Sequence, residues 1–229
     1  MQYASPLALA RLGRTRAHTS RILGACLGLA VAAALSIAPA HAAPVTAVTI
    51  SGGNVLADGD TNGWRFQALS NINVTALGTW DEGEDGLPAQ VEVGLWTDTG
   101  TLLGSLTLGS GTTESLISGF RFADLASSIA LTAGQFYRIG ANPVSGSIEY
   151  REGVAVTAAA DVAYDDGFYA FGDSLTFPTR GGAFSNFPDF FGPNFRYETA
   201  AVPLPATFGL FGIALAGMAL TRRKAPARG

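Results

Sequence analysis

Between residues 43 and 201 the chain alternates short apolar stretches with breaks rich in Gly, Asn, Asp and Ser. Short apolar runs bounded by turn residues predict strands. Nine are predicted, over residues 45–50, 64–68, 72–80, 91–96, 102–108, 117–122, 136–141, 154–159 and 195–198. Several alternate with the period of two that a half-buried strand requires. Val91, Val93 and Leu95 share one face while Gln90 and Glu92 share the other. Phe120 and Phe122 flank Arg121, and Tyr137 and Ile139 flank Arg138. Glycine-containing turns such as 98–100 and 133–134 punctuate the strands. No stretch of this region has a helical period. Many short strands with regular turns predict an all-β domain, an antiparallel β-sandwich or jelly roll.

Both ends of the chain break this pattern. The first 42 residues carry Arg11, Arg14, Arg16 and Arg21 but no Asp or Glu, then an uncharged, mainly apolar run over 22–37. Ala40-His41-Ala42 follows. A basic start, an apolar middle and small residues at the exit are the three parts of a secretory signal, with cleavage predicted after Ala42. Cys26 sits in a sequence like a lipoprotein box, but most of the apolar run follows it, so it reads as a small member of the signal helix. At the other end, Val202-Pro203-Leu204-Pro205 precedes an apolar run over 208–220 and then Arg222-Arg223-Lys224. Proline sets a helix start. A short transmembrane helix is predicted over 206–221, brief for a hydrocarbon core of ~30 Å. Its basic end is expected on the cytoplasmic side. Three segments result: a signal peptide (1–42), a β-sandwich (43–201) and a sorting tail (202–229).

This tail resembles the PEP-CTERM sorting signal in its Val-Pro-Leu-Pro-Ala variant, with Leu204 where the commonest form has Glu. The resemblance implies a Gram-negative bacterium and recognition by an exosortase-type membrane protease near the proline motif. It also implies brief anchoring in the inner membrane, then delivery to the cell surface or the exopolysaccharide matrix of a biofilm. The middle resembles a group of PEP-CTERM exported proteins in Gly63-Trp64-Arg65-Phe66, Val93-Gly94-Leu95-Trp96, Gly119-Phe120-Arg121-Phe122 and Gly192-Pro193-Asn194-Phe195. It is also similar to a domain family of unknown function with a lectin-like sandwich. Where that group often carries a histidine, this chain reads Pro88-Ala89-Gln90.

Charge sharpens the picture. All 18 acidic residues of the chain lie between Asp58 and Glu198, opposed there by six arginines, a balance of −12 that the whole-chain value of −4 conceals. Such a domain repels nucleic acid and anionic surfaces. With the signal removed, the region 43–201 has no Cys, His or Lys. That excludes disulfides, the usual Cys/His zinc sites, Ser-His-Asp and Cys-His catalysis, and Schiff-base chemistry.

Three constellations are left. Asp58-Gly59-Asp60-Thr61-Asn62-Gly63 matches the first half of a calcium loop, but the carboxylate that would close it is replaced by Leu69. It reads as a turn before the Trp64 strand, or as a calcium site (Asp58, Asp60, Asn62) completed from elsewhere. Asp81, Glu82, Glu84 and Asp85 crowd four carboxylates into one turn, read as solvated, as calcium-binding, or as a pair for sugar hydrolysis. Residues 168–195 hold nine aromatics among Gly, Pro, Ser and Asn and read as loop: a sugar-stacking surface, or a loop pinned by its own Phe side chains. Trp64, Trp80 and Trp96 read as core or sheet-face packing.

The expectation is a non-catalytic exported protein without a cofactor, apart from the calcium reading, with polysaccharide and an exosortase as partners. A carboxylate-dependent glycoside-active enzyme and a purely structural matrix component are the alternatives.

Overall fold

A computed structural model describes residues 43–181 and 190–199. The predicted signal helix, its exit at Ala40 and Ala42, and the tail with Val202, Pro203, Leu204, Pro205, Arg222 and Arg223 lie outside the described residues. Those described form 15 strands, numbered in chain order, and one 3-10 turn. None of their helices is long and apolar enough to cross a membrane.

One sheet has five strands, in the order β1 (Val45–Thr46), β15 (Pro193–Thr199), β5 (Ile72–Trp80), β9 (Phe120–Leu131) and β8 (Ser115–Ile117). The other has six, in the order β14 (Arg180–Gly181), β13 (Val162–Ala170), β4 (Thr61–Ala68), β10 (Phe136–Pro143), β6 (Val91–Thr97) and β7 (Leu102–Leu108). Two ribbons complete the domain: β3 (Asn54–Asp58) with β11 (Ile148–Glu152), and β2 (Val48–Ser51) with β12 (Ala155–Ala158). Every pairing is antiparallel.

The alternating residues explain why the two sheets stack. Val91, Val93 and Leu95 of β6, and Trp64 and Phe66 of β4, meet Val74 and Leu77 of β5 and Phe195 and Tyr197 of β15 in one buried cluster. Removing that apolar surface from water stabilises the sandwich. Trp64 is its centre, ringed by Phe66, Tyr164, Phe191 and Phe195 at centroid distances of 5.2–6.2 Å. Its indole N–H is satisfied by the Pro193 carbonyl at 2.8 Å.

The outer face of the six-stranded sheet is flattened by glycine. Gly63, Gly140 and Gly94 sit side by side on β4, β10 and β6. A Cβ on Gly63 would collide with the Ile139 carbonyl. The Trp96 ring lies over Gly94, where Leu175 also approaches, and Pro178 approaches Gly140. Residues 171–179 therefore cross this face as a strap. Arg138 holds it by donating to the Pro178 carbonyl at 2.6 Å and stacking on Phe168 and Phe177.

Several sequence expectations are corrected. The 45–50 strand is two: at Ala47 the chain leaves β15 and joins β12. The 117–122 strand folds back on itself, because Ser118 and Gly119 both take positive φ (53° and 80°) and make a tight hairpin turn. Residues 168–195 are not one loop. Phe168 and Tyr169 belong to β13, and Phe195 belongs to β15. Phe191 and Phe195 are fully buried. β3, β11 and β13 were not expected at all.

One end of the sandwich is closed by turns. The Leu69 N–H donates to the Asp161 carbonyl and Ala68 N–H to that of Gln135. Asp161 accepts from Ser70 Oγ at 2.6 Å and from the Tyr197 hydroxyl at 3.2 Å. Burial first, and then the Asp161 charge, push the Tyr197 phenol up to about 12. The unfolded chain ionises near pH 10, so this tyrosine's contribution is intact below that pH and is lost as pH rises toward 12. Urea midpoints measured across that interval are expected to fall for the native protein and to fall less for Tyr197→Phe.

Candidate functional site

The end opposite those turns carries the predicted chemistry. The D-x-D-x-N segment joins β3 to β4. Asp58 Oδ1 accepts from Asn62 Nδ2 at 2.7 Å and from the Asp60 N–H at 3.1 Å. The Tyr150 hydroxyl bonds the same carboxylate. Asp60 Oδ1 accepts from the Gly172 N–H at 3.1 Å. Asn142 donates to the carbonyls of Gly59 and Gly172 at 3.0 and 3.1 Å. The segment is thus closed by its own hydrogen bonds, and it anchors the start of the strap. Asn62 turns an N–H toward Asp58. Among the described residues no group of three or more acidic, His or Cys side chains is placed to hold a metal ion.

These residues line one wall of an open concavity of about 220 Å³. Asp58, Asp60, Asn62 and Glu152 supply the polar side; Tyr150, Tyr169, Phe171 and Phe190 supply the aromatic side. Tyr169 is the hub, 5.3 Å from the rings of both Phe171 and Phe190. Phe171 is 61% exposed, and the Arg180 guanidinium stacks 4.8 Å from its ring centre. Burial raises the Asp58 carboxyl above its ordinary range, aided by the Asp60 charge and opposed by the hydrogen bonds it accepts. Burial also pushes the Tyr150 phenol far up, with Asp58 and Glu152 adding to it.

The acidic turn 81–86 forms no site of its own. Asp81 is buried and accepts from Arg121 Nε at 2.7 Å and from the Gly86 N–H. Arg121 also donates to the carbonyls of Glu84 and Glu114. Glu82 forms a two-point pair with Arg151, 2.9 and 2.8 Å, and accepts from Trp80 Nε1 at 2.8 Å. Burial pushes its carboxyl up, but the Trp80 and Arg151 donors outweigh this and lower it. Two of the four carboxylates are therefore structural clamps, which corrects the solvated reading for Asp81 and Glu82.

Of the residues singled out from sequence, Asp58, Asp60 and Asn62 come together with Tyr169, Phe171 and Phe190. Tyr150 and Glu152 were missed. The alternation of Ile148, Tyr150 and Glu152 was a legible strand signal, but Glu152 is charged and its burial comes only from the fold.

Comparison with known families matches residues 56–188 to a domain of unknown function (DUF4082). Residues 201–224 match the PEP-CTERM protein-sorting motif. No curated protein matches the chain.

Proposed function

The chain belongs to the DUF4082 family and carries a PEP-CTERM sorting motif, and from that premise we propose a non-catalytic surface or matrix protein that holds neutral polysaccharide. The motif marks an exported protein processed by an exosortase. The supporting observation is the concavity in which the exposed Phe171 ring and the partly exposed Tyr169 ring line the same space as the carboxylates of Asp58, Asp60 and Glu152. Ring faces stack on the apolar faces of sugars, and carboxylates accept from sugar hydroxyls. The net charge of −12 on the exported region disfavours anionic polymers and suits neutral ones.

Replacement of Phe171 and Tyr169 by alanine tests this. The native domain is expected to be retarded in gels containing neutral polysaccharide, and the double variant to run as if none were present. Equal migration of the two proteins would remove the binding reading.

One observation favours glycoside hydrolysis as a second reading: Asp58 has the raised carboxyl that a general acid needs. Release of reducing ends from exopolysaccharide, lost in Asp58→Asn, is the result that would select it.

A further inference from the structure

The two ends of the sandwich differ, and β15 joins them. It starts at Pro193, three residues after Phe190 at the concavity, and finishes at Thr199, paired with Ile72 at the closed end. Seven residues of strand span about 20 Å. The sorting motif begins at residue 201, two positions past the end of β15. The chain leading to Val202 reaches at most about 10 Å from Thr199. The motif thus starts within about 10 Å of chain from the closed end.

The N-terminal side emerges at the same place. β1 lies against β15, with Val45 opposite Tyr197, a Cα separation of about 5 Å. Arg196 donates to the Pro44 carbonyl at 3.2 Å. The described chain therefore begins, before Val45, and leaves β15, after Thr199, at one end of the sandwich. The turn tips there, residues 69–71 and 132–135, carry no charged side chain, and the carboxylates that do lie at that end are engaged: Asp161 accepts from Ser70 and Tyr197, and Asp98 pairs with Arg65 and Arg138. Leu69 among them is 52% exposed. The opposite end bears Asp58, Asp60, Glu84 and Asp85, beyond the two carboxylates that Arg121 and Arg151 neutralise, and an anionic bilayer repels that charge.

We propose that, while tethered, the sandwich stands on the end from which β1 and β15 emerge, with that end against the bilayer surface and the acid–aromatic concavity facing away. This rests on the sorting motif and on strand topology, and is independent of what the concavity binds. The processing protease meets its motif against the closed end, and the concavity is open to the exterior before release as well as after it.

The test uses the chain after signal removal, residues 43–229, which has no cysteine of its own, with one new cysteine, either Ala133→Cys at the closed end or Asp173→Cys near the concavity. Each is labelled with a fluorophore and reconstituted through its own tail into phosphatidylethanolamine/phosphatidylglycerol vesicles that carry a headgroup quencher. Quenching several-fold stronger at position 133 than at 173 is expected, and a long Gly/Ser insert after Thr199 should erase the difference. Equal quenching, or stronger quenching at 173, overturns the orientation. A difference that survives the insert overturns the tether as its cause.

Discussion

Asp81→Ala should destabilise the domain by about 3–5 kcal/mol, because it leaves the Arg121 guanidinium buried without its anion. Both side chains are almost wholly shielded from water, at 1% and 7% exposure. The alanine also strips the Gly86 N–H of its acceptor, and Glu84 and Glu114 then bond an arginine that has lost its anchor. A pair on the surface would be worth only about 0–1 kcal/mol, so the size of the loss separates a buried clamp from a solvated turn. Urea unfolding of the native and variant domains reads it directly. A loss below about 1 kcal/mol would return Asp81 to the solvent-exposed class. Replacing both partners by apolar residues of similar volume should recover most of the stability, since the desolvation of two charges disappears with them.

Trp64→Ala is expected to cost at least as much, about 3–5 kcal/mol from lost burial and the cavity left behind. The ring is fully buried and touches aromatics from β4, β13 and β15 as well as Phe191. Losing it also orphans the Pro193 carbonyl, where β15 begins. Trp64→Phe keeps much of the volume but not the indole donor and should lie between native and alanine. Thermal melts of the three proteins give the order.

How legible the domain was depends on the range of the interaction that makes each part. β5 and β7 carry apolar residues alternating with small or polar ones between clear turn signals, and their observed bounds, Ile72–Trp80 and Leu102–Leu108, coincide with those expected from pattern. β13 was hidden because Asp165-Asp166-Gly167 reads as a turn. In the structure the register slips between Tyr164 and Asp166, and Asp165 pairs with Arg65 at 3.0 Å. β3 was hidden because most of its residues are exposed, so no alternation marks it. It is a strand only because β11, some 90 residues later in the chain, supplies its ladder.

The same division holds for the candidate site. Asp58, Asp60 and Asn62 stood out because their spacing is a local signal, and their local role as a closed turn follows from hydrogen bonds within five residues. Their meeting with Tyr150, Tyr169 and Phe190 depends on two strand registers and on the return of the chain at Phe191 to bridge Arg151. No local pattern encodes that.

Residue order alone was enough to settle that the middle is a sandwich of short strands and that the tail carries a sorting motif. Strand period and a short linear motif are both properties of neighbouring residues. Which carboxylates are buried clamps, which aromatics are core and which face solvent, and where the chain ends emerge were decided only in three dimensions. Those outcomes depend on contacts between segments far apart in the chain, such as Asp81 with Arg121 and Val45 with Tyr197, and it is strand pairing, not composition, that brings them together.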